Sequence, residues 1–78
     1  MKKKKKSGYG YMFYEDGSKY EGKFLEDKRE GIGLMLFNNG DYYYGEWEYD
    51  YMEGVGRMNY KLEEKTYEGN WMHGQKDG

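Results

Sequence analysis

The chain has 78 residues, of which 36% are hydrophobic and 36% charged, with no cysteine and no proline. A chain this short keeps a large share of its surface exposed when folded, which argues against a deep buried site, and without cysteine it has neither disulfides nor thiolate metal ligands. The net charge of −2 hides an uneven distribution: setting aside Lys2, Lys3, Lys4, Lys5 and Lys6 leaves eight basic residues against fifteen acidic ones, a body of about −7 that repels phosphate backbones and so excludes nucleic acid as the expected partner.

Aliphatic residues are scarce, but aromatics make up 21% of the chain and tyrosine alone occurs eleven times. Any core must therefore be built from rings. Tyrosine buries an apolar body while its hydroxyl reaches water or a carbonyl, which suits a sheet one layer thick. The longest apolar run, Ile32 to Phe37, is broken by Gly33 and is far too short to cross a bilayer. No hydrophobic stretch follows the lysines as a secretory signal would need, so the expected location is cytoplasmic, at most peripheral to a membrane or the cytoskeleton.

Residues 1–7 form a basic tail. A run of like charges with nothing to bury is expected to stay flexible, although these lysines are also where contact with an acidic phospholipid would fall. From residue 8 a repeat begins. Gly-x-Gly-x-Met-x-aromatic occurs at Gly8, Gly10, Met12 and Tyr14, returns 23 residues later at Gly31, Gly33, Met35 and Phe37, and again at Gly54, Gly56, Met58 and Tyr60. Each copy is followed by Tyr-x-Gly-x-aromatic: Tyr20, Gly22 and Phe24; Tyr43, Gly45 and Trp47; Tyr67, Gly69 and Trp71. The units are residues 8–30, 31–53 and 54–77, and Gly78 falls where another Gly-x-Gly would open, as in a fragment of a longer array.

Between the two blocks lie Asp16-Gly17 and Asn39-Gly40, dipeptides that tolerate the positive φ of tight hairpin turns. Each unit therefore reads as a β-hairpin. The third carries one extra residue and no turn glycine across Leu62 to Lys65, so a wider turn is expected there. The polar six-residue stretches from Leu25, Glu48 and Met72 read as joining segments between hairpins. Strand alternation puts the Tyr, Gly and Phe/Trp of one block on the same face as both glycines, the Met and the aromatic of the other, with the glycines making room for neighbouring rings.

These blocks, the turn glycines and the period resemble the membrane occupation and recognition nexus (MORN) repeat, over residues 8–78. Phe24 in place of Trp and the missing glycine in the third turn are departures from its pattern. The resemblance implies an all-β, elongated, single-layer antiparallel sheet of tandem hairpins. It also implies a non-catalytic scaffold or protein-interaction role, as in ciliary, cytoskeletal and membrane-associated assemblies. Alternatives are a phospholipid-binding attachment module and a regulatory part of a larger enzyme such as a phosphatidylinositol phosphate kinase.

No residue constellation points to catalysis, a metal or a cofactor. His73 stands in a polar segment without a second ligand, Ser7 and Ser18 have no base at a fixed spacing, and no helical period follows any Gly-x-Gly as a dinucleotide site requires. The informative feature is the second face. It carries Tyr9, Tyr11 and Phe13 in the first unit and Ile32, Leu34 and Leu36 in the second, but Val55, Arg57 and Asn59 in the third. Either the sheet curls around these residues, or they line a groove for a partner helix or another chain of the same kind; the fading of apolarity along the array favours the groove.

Overall fold

A computed structural model describes residues 7–76; the lysine run and the last two residues lie outside them. The described chain is all strand and turn. Seven strands follow in order: β1 (Gly8–Phe13), β2 (Lys19–Leu25), β3 (Lys28–Leu36), β4 (Tyr42–Glu48), β5 (Tyr51–Tyr60), β6 (Lys65–Met72) and the two-residue β7 (Gln75–Lys76). Each pairs antiparallel with its sequence neighbours in one open sheet, 47 × 25 × 16 Å in extent.

Two kinds of turn alternate. Tyr14 and Phe37 each close a three-residue loop, their N–H groups donating to Ser18 and Asp41 carbonyls at 2.9 Å, and only Gly17 and Gly40 take positive φ there. In the third hairpin the loop is Lys61 to Glu64, one residue longer, and Glu64 holds the positive φ (54°) in place of glycine. At the opposite end, the expected joining segments are themselves tight hairpins. Strands run up to Leu25, Glu48 and Met72, and only the pairs Glu26-Asp27, Tyr49-Asp50 and His73-Gly74 turn, all with positive φ. The sequence hid this because five of those six residues are not glycine.

The register lines equivalent residues into rows across the sheet. Gly10, Gly22, Gly33, Gly45, Gly56 and Gly69 stand side by side on six successive strands, and beside them runs a row of Met12, Tyr20, Met35, Tyr43, Met58 and Tyr67. Each tyrosine bends over the glycine row. A methyl group on Gly45 would meet the Gly56 Cα, with the Val55 carbonyl at 2.7 Å and the Tyr43 hydroxyl at 2.8 Å. Tyr20 covers Gly33 in the same way, and Tyr43 covers Gly56. The first glycine of each Gly-x-Gly does a different job from the one expected. Gly31 (φ 71°) and Gly54 (φ 81°) sit where β3 and β5 carry extra residues against β2 and β4, and a side chain there would meet Lys23 or Glu46 rather than a ring.

The rings complete one core. From Phe24 through Tyr20, Trp47, Tyr43 and Trp71 to Tyr67, every successive pair meets edge to face, with centroids 5.0 to 5.4 Å apart. Such contacts contribute about 0.5–1.5 kcal/mol each beyond area burial. Tyr20, Tyr43, Phe24, Trp47 and Trp71 are buried, with Met35 and Met58 between them. Polar atoms are satisfied locally: the Tyr20 and Tyr43 hydroxyls donate to the Lys23 and Glu46 carbonyls at 3.0 Å, and the Trp47 and Trp71 indoles donate to the Gly33 and Gly56 carbonyls at 3.2 and 3.3 Å.

Arg29, which the periodic blocks do not include, lies over the Trp47 ring at 4.6 Å and is held by the Asp50 carboxylate (Nε to Oδ1, 3.0 Å) and carbonyl. It ties one turn to the next. The Asp50 N–H donates to the Arg29 carbonyl at 3.2 Å, and the Gly74 N–H repeats the bond to Met52 at 2.9 Å.

Substituting Gly45→Val should cost about 3 kcal/mol or more in thermal or urea unfolding, because the backbone of β5 blocks the added atoms. Glu46→Val removes only the carboxylate that accepts the Val55 N–H, at 3.1 Å on the exposed face, and should cost about 1 kcal/mol. Equal losses would contradict the face assignment.

A second expectation concerns alkali. Burial pushes the Tyr20 and Tyr43 hydroxyls up to about 12, so the folded chain keeps protons that the unfolded chain releases near pH 10. Their stabilising contribution is complete below about pH 10 and is lost as pH rises through about 12. Melting followed by tryptophan fluorescence should therefore fall steeply across that window.

Candidate interaction face

The opposite face of the sheet is assembled by the same register. One row crosses it as Tyr11, Glu21, Leu34, Tyr44, Arg57 and Glu68, and a flanking row as Phe13, Lys19, Leu36, Tyr42, Asn59 and Thr66. The alternation that buries the tyrosine and tryptophan rings sends these side chains outward. Among the described residues nothing covers them: Tyr9 is 80% exposed, Phe13 74%, Val55 61% and Tyr11 58%. Ile32 and Leu36 are exposed as well, and Leu34 is half-buried. The sheet does not curl around this face.

A groove of about 890 Å³ opens where the glycines leave the backbone bare between taller neighbours. Ile32, Leu34, Tyr44 and Val55 line it, together with the charged side chains of Glu46, Arg57 and Glu68. Of the residues expected to line a groove, Ile32 and Leu34 lie in it. Tyr9 and Tyr11 border a separate hollow of about 200 Å³ with Glu21, whereas the main groove lies over the second and third units. The substitution of Arg57 for an aliphatic residue thus adds a charge to the groove instead of ending it.

Arg57 is paired with Glu68 through its Nη2, and its Nε donates to the same carboxylate at 2.6 Å. The bond to Glu68 raises the guanidinium further above its ordinary range, so Arg57 stays charged at any ordinary pH. An apolar lining that also carries an ion pair and the Glu46 carboxylate can hold an apolar side chain and orient a polar or charged group beside it. It brings together no nucleophile with a base.

The remaining sequence candidates are placed as follows. Ser18 is buried and its N–H donates to Asp16 (2.9 Å), which holds the Asp16 carboxyl below its usual range; Ser7 accepts the Glu26 N–H at 3.3 Å. His73 occupies the turn before β7, packs edge-on against Tyr51 at 5.5 Å and has Nδ1 3.7 Å from the Glu53 carboxylate. No group of three or more His, Cys, Asp or Glu side chains able to hold a metal occurs among the described residues, nor does any helix long and apolar enough to cross a membrane. Lys2 to Lys6 lie outside the described residues.

Sequence reasoning did not single out Tyr44 as part of this face, nor Glu68 as the partner of Arg57. The signal was present in the registry: Tyr44 and Glu68 occupy the x of Tyr-x-Gly, the position that alternation turns toward the groove.

Comparison with known proteins agrees with this geometry. The family model for the MORN repeat matches four times, at residues 1–19, 20–42, 43–61 and 67–78, the last three matches opening on Tyr20, Tyr43 and Tyr67. No curated protein matches the chain. With all-strand architecture, one open sheet of consecutive hairpins and repeat matches along its length, the chain belongs to the MORN-repeat family, a non-catalytic repeat module that generally serves interactions with proteins or membranes.

Proposed function

We propose that this array is a non-enzymatic protein-interaction module that engages its partner through the exposed apolar face of β3–β6. One observation carries the reading: the ring core lies on one side of the sheet, yet Ile32, Tyr44 and Val55 stand exposed together on the other. Exposed apolar patches around a concavity usually mark an interaction surface. The fixed Arg57–Glu68 pair suits a protein segment that presents apolar side chains with a polar group beside them, as an amphipathic helix does. The acidic body disfavours direct docking of this face on anionic lipid, leaving the basic tail as the element for membrane contact.

Val55→Asp tests the face better than a change at half-buried Leu34, because Val55 is 61% exposed. The variant should unfold within about 0.5 kcal/mol of the parent, as surface substitutions do, while losing tenfold or more in capture of partner proteins from lysate. Full retention of every captured protein by a folded Val55→Asp chain would contradict the reading.

Membrane contact is separated by a second measurement. Removing Lys2 to Lys6 should abolish co-sedimentation with phosphatidylserine vesicles, as should moderate salt, since exposed charges act only over a Debye length of about 8–10 Å. Salt-resistant binding by the shortened chain would place a lipid site among the hairpins.

A further inference from the structure

The groove on the exposed face has a direction. It runs across the strands between two rows of side chains. Leu34, Tyr44, Arg57 and Glu68 stand along one wall, one from each of β3 to β6. The other wall is Ile32, Glu46 and Val55, with Ile32 opposite Glu46 in the register and the Val55 N–H donating to Glu46 Oε1 at 3.1 Å. Successive side chains along a wall are about 4.8 Å apart, the spacing of neighbouring strands. On an α-helix, side chains three or four residues apart stand about 5–6 Å from one another. A helix lying along the groove therefore sets one ridge of side chains between the walls, nearly in step with the strands. An extended segment repeats its side chains on one face only every 6.8 Å or about that, and falls out of step.

The groove also has a charge. Its walls carry two carboxylates, Glu46 and Glu68, against the one guanidinium of Arg57. Arg57 reaches Glu68 through Nε and Nη2, and both contacts go to Oε2, while Glu46 receives the Val55 N–H on Oε1. A carboxylate accepts through both oxygens, so Glu46 and Glu68 each have one to offer an incoming cation. Arg57, the group in the groove that would attract an acidic segment, is already matched by Glu68. The surplus is negative, on a body of about −7, and two copies of this face repel one another.

We infer that the occupant of the groove is a basic amphipathic helix of a partner protein, lying across β3–β6. Its apolar ridge enters between Ile32, Leu34, Tyr44 and Val55, and lysine or arginine side chains on the two sides of the ridge pair with Glu46 and Glu68, which stand on opposite walls. The inference rests on the reading of this face as a protein-binding surface, and it adds the sign of the partner's charge and the course of its helix. The field of the acidic body steers such a helix toward the face.

The test is a titration of the full chain against labelled synthetic peptides, read by fluorescence anisotropy. One peptide is helical, with a leucine ridge flanked by lysines; a second has the same ridge flanked by glutamates; a third repeats the first with a central proline that breaks the helix. The lysine peptide should bind about tenfold more tightly than either of the others, and more weakly as salt is raised. Glu46→Gln and Glu68→Gln keep the oxygen that accepts from Val55 or Arg57, and each should weaken its binding about threefold. Glu15→Gln, which removes the same charge from the turn between β1 and β2, should leave it unchanged. Tyr44→Ser, shown to be folded by circular dichroism, should weaken it about tenfold. A lysine peptide that binds no better than the glutamate or the proline peptide would overturn the inference, as would one that binds both glutamine variants as tightly as the parent; loss of binding in Tyr44→Ser would then still uphold the face. A lysine peptide that binds Tyr44→Ser as tightly as the parent, or a parent chain that binds none of the three peptides, would overturn the reading of the face and this inference with it.

Discussion

Everything in this structure depends on a tyrosine ring closing over glycine. A single-layer sheet has no second layer to pack on, so its apolar side chains must cover one another and the backbone. Tyr20 and Tyr43 do this by bending across two glycine strands, with each hydroxyl tied to a carbonyl three residues on in its own strand. The glycine row is therefore the floor of the core. Tryptophan then stands edge-on between successive tyrosines, its indole donating to the carbonyl of the glycine that the tyrosine covers. Each hairpin supplies a ring to one neighbour and a glycine to the other, which makes stability a property of adjacent pairs.

That arrangement also fixes where function can reside. All the residues with demanding geometry lie on the ring side or in the turns, where substitution disturbs packing. The other face inherits its outward direction from the strand period but few packing duties, so its identities are free to vary from unit to unit. Leu34 in one row becomes Arg57 two strands on, while Met35 remains methionine at Met58. The Ile32, Tyr44 and Val55 surface beside the Arg57–Glu68 pair is the part of this chain that differs from unit to unit, and it is the face on which the proposed partner would act.

The family and the strand order were legible because five-residue blocks recur in register three times, and alternation alone separates Tyr43, Gly45 and Trp47 from Tyr44 and Glu46. Other features were not legible. Glu26-Asp27 and Tyr49-Asp50 adopt positive φ in two-residue turns because the flanking strands fix the geometry, and nothing in their composition marks a hairpin. Equal treatment of the two glycines in Gly-x-Gly failed for a related reason: extra residues in β3 and β5 turn Gly31 and Gly54 away from the rings, and only pairing shows such a bulge. Arg29 escaped notice because it has no equivalent cation in the second unit, where Met52 packs at the matching place. The share of the third unit in the groove was not legible, because the pairing of Arg57 with Glu68 across two strands shows only in the register.

The most direct test of the ring-on-glycine account is a double-mutant cycle between Tyr20 and Gly33, measured by urea unfolding of Gly33→Ala, Tyr20→Leu and the combined chain. Alone, Gly33→Ala drives a methyl group into the tyrosine and should cost about 3 kcal/mol. In the Tyr20→Leu background the hydroxyl and ring edge are gone, so the same methyl should cost less than about 1 kcal/mol, a coupling of about 2 kcal/mol or more. Additivity of the two substitutions within about 0.5 kcal/mol would show that glycine is required at this position for some reason other than the ring, and would contradict the account.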